Sequence, residues 1–117
     1  MGKLSTHVLD TSAGLPAQGV GISLHIAEGA QWRCIVTTVT NADGRTDSPL
    51  LQAEAMRPGR YRLVFEAGEH FRRRGLDLPE PPLVDQVTID FGISQADGHY
   101  HVPLLVTPWS YSTYRGS

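Results

Sequence analysis

The chain has 117 residues, 40% hydrophobic and 19% charged, with a formal net charge of -2 and a single cysteine. That composition excludes a disordered chain and a disulfide framework, and without a face-long run of Lys or Arg it excludes a surface that displaces counterions from nucleic-acid phosphates. A single domain over residues 1–117 is expected, large enough to bury a core without metal or disulfide support.

The first residues, Met1-Gly2-Lys3-Leu4-Ser5, hold no apolar signal segment, and no window reaches transmembrane length. A cytoplasmic protein without a membrane contact is the expectation, provided the natural chain starts here. Residues 4–10 alternate, with Leu4, Thr6 and Val8 on one face and Ser5, His7 and Leu9 on the other. Apolar residues spaced by two mark the buried face of a strand, because successive side chains leave it on opposite sides. The run Ala13-Gly14-Leu15-Pro16 breaks this strand from the next, residues 21–27, where Ile22, Leu24 and Ile26 oppose Ser23 and His25. Residues 32–39 form a third strand. Within it Cys34, in the apolar run Trp32-Arg33-Cys34-Ile35-Val36, reads as a small buried hydrophobe. Asn41-Ala42-Asp43-Gly44 is a tight turn, Asp-Gly supplying the positive φ it needs, and a short strand is expected at residues 46–48. Arg57-Pro58-Gly59-Arg60 turns into a strand at residues 61–66. Residues 69–74 suit a helix that stops at Gly75, before the Pro-rich Leu78-Pro79-Glu80-Pro81-Pro82. Strands at residues 84–91 and 100–106 follow, with a further short one at 109–114. Many short strands with frequent turns predict an all-β, antiparallel β-sandwich of two sheets with one short helix.

Five histidines offer chemistry near neutral pH. His70 falls in the helix; His7, His25, His99 and His101 fall on strand faces opposite the apolar set. A metal site would use His99 and His101, two apart on one strand, with His7 or His25 as a third ligand. No Cys-x-x-Cys or His-Glu-x-x-His spacing supports it, and no metal is expected. No Gly-x-Ser-x-Gly elbow marks a nucleophile. Attack by an activated water needs only a base, a group that holds the base, and a cation for the developing oxyanion. Histidines with Arg45, just past the Asp43-Gly44 turn, would suffice.

Longer motifs carry a resemblance. Leu4-Ser5-Thr6-His7-Val8-Leu9-Asp10-Thr11, then Gly14-Leu15-Pro16-Ala17, resembles the opening of the 5-hydroxyisourate hydrolases of the transthyretin-related family. Asp43-Gly44-Arg45-Thr46 resembles their middle motif. His99-Tyr100-His101-Val102-Pro103-Leu104-Leu105 and Pro108-Trp109-Ser110-Tyr111-Ser112-Thr113-Tyr114-Arg115-Gly116-Ser117 resemble their ending, with Trp109 standing where the family usually has tyrosine. The resemblance implies a transthyretin-like sandwich and hydrolysis of the small molecule 5-hydroxyisourate without metal or organic cofactor. It also implies a homotetramer, a dimer of dimers with active sites at the dimer–dimer interface. His7, Arg45 and His101 would be catalytic, and His7, Arg45, Tyr114 and Ser117 would bind substrate. Either His7 or His101 could be the base. Transthyretin itself, the hormone carrier of the same scaffold, lacks both histidines and the Tyr-Arg-Gly-Ser ending.

Overall fold

Period-two alternation at the start of the chain becomes two short strands, β1 (Lys3–Ser5) and β2 (Val8–Asp10), in place of one. They are followed by β3 (Leu15–Pro16), β4 (Gly21–Glu28), β5 (Gln31–Val39), β6 (Leu51–Gln52), β7 (Gly59–Glu66), helix α1 (Ala67–Arg73), β8 (Gln86–Ile93), β9 (His99–His101), β10 (Leu104–Val106) and β11 (Tyr111–Thr113). This computed structural model describes residues 1–116.

The strands make two layers, as the alternation predicts. One is the antiparallel sheet β5-β4-β7-β8. The other joins β6-β1-β9 and β11-β10-β2-β3 through strand pairs that continue each other along the chain. Its centre departs from the antiparallel expectation: β1 pairs with β9 and β2 with β10 in parallel, Ser5 opposite His101 and Val8 opposite Leu104. Backbone bonds carry this pairing across the break, from Val102 N–H to Ser5 O and from Leu104 N–H to His7 O. Pro103 has no N–H to give, and the Thr6 hydroxyl donates to Val102 O at 2.7 Å beside it. The chain therefore bends at two neighbouring points while the register is kept.

Leu4, Val8 and Leu104 of this layer meet Leu24, Leu63, Phe65 and Val87 of the other in one core, all of them essentially inaccessible. Each such side chain contributes roughly 1.5–3 kcal/mol by leaving water. The polar residues of the alternating strands are thereby turned outward, and Ser5 and His7 lie half-buried on the outer face of their layer.

Three local expectations are corrected. Residues 46–48 form no strand, because the Thr46 hydroxyl turns back to Ser48 O at 2.6 Å; the extended contacts sit on either side, at Arg45 and at β6. The break at residues 13–16 contains the two-residue β3. Cys34 is exposed, not buried. A bulge between Leu24 and His25 shifts the β4–β5 register, so that Cys34 pairs with His25 of the outer face instead of with an inward residue.

Candidate active site

Four stretches of chain lie side by side on the outer face of the mixed layer. The segment at Arg45 bridges to His7, the strand of Ser5 pairs with that of His101, and His101 in turn bridges to Gly116. Residues from the beginning, middle and end of the sequence thus come together on one surface.

The Arg45 side is set by the turn. Asn41 Oδ1 accepts from the Asp43 and Arg45 N–H groups at 2.9 and 3.2 Å, and Gly44 N–H donates to Asn41 O at 2.9 Å. Gly44 has a φ of 75°, in the left-handed region. Its Cα also packs so tightly on Val8 O that a Cβ would collide with that carbonyl, while its own carbonyl accepts from Val8 N–H at 2.7 Å. The glycine is what allows the turn to dock on β2 and bring Arg45 beside His7. The His7 ring is fixed by the same turn, with Nε2 2.8 Å from Asp43 O. A carbonyl oxygen only accepts, so this nitrogen carries the proton.

On the other side, Ser5 Oγ lies 2.9 Å from His101 Nδ1. Gly116 N–H donates to His101 O at 2.7 Å, Arg115 donates to His99 O at 3.0 Å, and the Arg115 guanidinium lies 4.4 Å from the centre of the Tyr100 ring. The last residues are thereby tied along β9. His99 Nε2 donates to Met1 O at 2.9 Å.

Between these walls is a cleft of about 990 Å³ lined by Lys3, Ser5, Arg45, His99, His101, Tyr114, Arg115 and Gly116. Among the described residues the lining holds three permanent cations and no acidic side chain. Partial burial, followed by the positive charges of Arg45, His7 and Lys3, pushes His101 below the usual imidazole range. Its neutral, basic form is therefore the resting one. A neutral imidazole beside a guanidinium in a cationic cleft can accept a proton from water and hold an oxyanion as it develops.

Of the residues singled out in the sequence, Arg45, His101 and Tyr114 line this cleft, as does His99, named there only as a possible metal ligand. His7 lies next to it, bridged to Arg45 but not part of its wall. Ser117 lies outside the described residues. His25 is on the other layer, bonded to Ser23 at 2.9 Å. Among the described residues no three His, Cys, Asp or Glu side chains gather as metal ligands. Sequence reasoning missed Lys3, Ser5 and Arg115. The first two share the period-two face of His7, a signal that was available; Arg115 stood in the Tyr-Arg-Gly-Ser ending but was given no role of its own.

A second cluster lies away from the cleft. The buried Asp10 carboxylate accepts from Ser12 Oγ at 2.6 Å, His70 Nε2 at 2.8 Å and Arg74 Nη1 at 2.8 Å, and from the Ser12 and Ala13 N–H groups at 3.1 Å. Burial pushes its pKa up, but the bonds from Ser12, His70 and Ala13, with the Arg74 charge, outweigh that and hold it below the usual carboxylate value.

The model of the HIUase/Transthyretin family matches residues 4–116. The 5-hydroxyisourate hydrolase of Pseudomonas aeruginosa is 59% identical over 117 residues, covering 100% of this chain and 93% of that protein. The crystal structure of (S)-allantoin synthase superposes with a TM-score of 0.94 at 43% identity, over 99% of this chain but 44% of that one. The structure of the Klebsiella pneumoniae 5-hydroxyisourate hydrolase does so with a TM-score of 0.82 at 41% identity, over the full length of both.

Proposed function

The chain belongs to the HIUase/transthyretin family, and from that premise we propose that it is a 5-hydroxyisourate hydrolase of purine degradation. It opens 5-hydroxyisourate to 2-oxo-4-hydroxy-4-carboxy-5-ureidoimidazoline. The observation that carries the reading is the meeting of His101, its pKa held below the usual imidazole value, with Arg45 in a cleft whose described charged side chains, Lys3, Arg45 and Arg115, are all positive.

In this reading water attacks a ring carbonyl while a histidine takes one of its protons. The hydroxyl oxygen bonds to carbon, the carbonyl oxygen becomes an oxyanion, and the C–N bond then breaks. The histidine returns its proton to the leaving nitrogen, and the new carboxylic acid ionises. Arg45 binds substrate oxygens and stabilises the oxyanion, the contribution that is usually largest in acyl transfer. His7 and His101 form the acid–base pair, and the resemblance adds Tyr114 and Ser117 as residues that orient the heterocycle. His7 contributes from beside the wall: its ring is already oriented by Asp43 O, and its Nδ1 is the nitrogen left for chemistry. These steps use side chains alone and call for no metal or organic cofactor.

The enzyme is further read as a cytoplasmic homotetramer, a dimer of dimers. Leu15, Trp109, Tyr111 and Tyr114, each at least half exposed, lie on or next to the layer that carries the cleft, and such apolar exposure suits contact with further copies. No helix among the described residues is long and apolar enough to cross a membrane.

The test is an ultraviolet time course of 5-hydroxyisourate made in place from urate by urate oxidase. Acceleration over the slow spontaneous decay, in proportion to protein added, is the expected result. Decay equal to the blank, with folded protein in the cuvette, would move the reading to a ligand-binding module on the same scaffold.

A further inference from the structure

The His101 ring is bonded on one edge and closely approached by the backbone of Gly116 on the other. On one edge Nδ1 meets Ser5 Oγ at 2.9 Å, across a strand pairing in which the two residues are direct partners. On the other, a Cβ built on Gly116 would stand 2.7 Å from Cδ2 and 3.3 Å from Cγ. Real Cβ atoms do not approach that closely, so only a glycine leaves the ring where it is. The remaining corner, Cε1–Nε2, is the part of the ring left for the cleft that His101 lines. Nε2 has no protein partner among the described residues, and none of their buried side-chain polar atoms lacks one. Among the described residues nothing takes Nε2, and it is left for the cleft.

We propose that Ser5 and Gly116 are positioning residues that lock His101 with Nδ1–H on Ser5 Oγ, making Nε2 the base that deprotonates the attacking water. This deepens the hydrolase reading and rests on it. An imidazole that accepts a proton at Nε2 carries N–H on both nitrogens afterwards. Its Nδ1–H then needs an acceptor, and the Ser5 oxygen is in place both before and after transfer, so nothing has to reorganise. His7 is placed differently. Its Nε2 proton is committed to a carbonyl, and the residue is not part of the cleft wall. The base is thus His101, which returns its proton to the leaving nitrogen, and His7, whose Nδ1 can accept a hydrogen bond, is left to orient the water.

The experiment pairs kinetics with nitrogen NMR on protein labelled in its histidines. In the parent, the spectrum should show His101 protonated at Nδ1 and bare at Nε2. Ser5→Ala should shift the ring toward the Nε2–H form and lower kcat about tenfold, the effect of losing one hydrogen bond to a group that becomes charged, with KM little changed. Ser5→Thr, which keeps the hydroxyl, should restore both. Gly116→Ala should lower kcat by displacing the ring from its other edge. Ser5→Ala added to His101→Ala should cost nothing more, since it acts through the missing ring. A parent ring protonated at Nε2, an unchanged kcat in Ser5→Ala, or losses that multiply in the double variant would each overturn the proposal. The tautomer is read without substrate, so absence of hydrolysis in the parent would sink the hydrolase reading while leaving the clamp separately tested.

Discussion

His70 and His101 stand on opposite sides of the same question. His70 is buried at the helix and bonds to the Asp10 carboxylate, which also accepts from Arg74 and Ser12. His101 lines an open cleft with Arg45 and Lys3, His7 lying beside it, with a serine for its hydrogen-bond partner and no acidic side chain among the described residues of the wall. In one region charge is balanced and every group is used by another. In the other, among the described residues, the positive charge is left over and a basic nitrogen is without a bond. Balanced charge in a buried site holds a fold together, whereas unbalanced charge beside a free base is kept for something that arrives from outside.

The contrast can be broken most forcefully at Asp10. Removing a carboxylate that five bonds converge on leaves buried donors and the Arg74 charge without a partner, which costs about 3–5 kcal/mol of folding stability. Asp10→Ala should therefore move the urea midpoint far down, while hydrolysis per folded molecule stays at the parent level. Because the Asp10 pKa is lowered in the folded state, its contribution is present above the ordinary carboxylate pKa and fades as pH falls through the folded value. Much of the loss should thus vanish in strong acid. Parent-like unfolding, or a collapse of kcat in protein that remains folded, would mean that the two regions are not separate in role.

The reverse experiment is made at the cleft. General acid–base help is worth about two to four orders of magnitude. His101→Ala and His7→Ala should each lower turnover at least about a hundredfold and leave the melting temperature close to the parent's, since neither ring is fully buried. Full turnover in either variant removes that histidine from the chemistry, and a large fall in melting temperature would give the cleft the structural role assigned here to the helix side.

How much of this was legible depends on whether a feature is local. Alternation along a strand is local, so the inward set Leu4, Thr6 and Val8 and the outward Ser5 and His7 could be read directly. The Asp-Gly turn before Arg45 is equally local. Partner choice is not. Nothing in residues 4–10 says that they pair in parallel with a strand 96 residues on, and the contact of Ser5 with His101 follows only from that pairing. Cys34 was misread because one bulge in β4–β5 reverses which face its alternation presents. Asp10 reads as a polar end to an apolar strand until the helix supplies His70 and Arg74. Lys3 and Arg115 gain a place at the cleft only because the two ends of the chain lie against it. The family motifs reached His7, Arg45, His101 and Tyr114 without any of this, because a motif keeps the outcome of the folding without its cause.

The finest prediction concerns Lys3, whose charge is the last of those that hold His101 down, behind burial, Arg45 and His7. If His101 is the base, activity on the acid side falls as pH drops through its lowered pKa. Lys3→Gln removes one positive neighbour, so the pKa rises toward the ordinary imidazole value and the acid limb of kcat/KM moves to higher pH. The shift should be smaller than that of Arg45→Gln, and added salt should mimic it in the parent by screening an exposed lysine. The position of the limb is the quantity to read, because Lys3→Gln and Arg45→Gln also change how an oxygen-rich substrate is held, which alters the height of the profile more than its midpoint. A limb that stays in place, or moves to lower pH, would show that the Lys3 charge does not reach the ring. The excess charge that distinguishes the cleft from the helix side would then act on His101 through Arg45 and His7 alone.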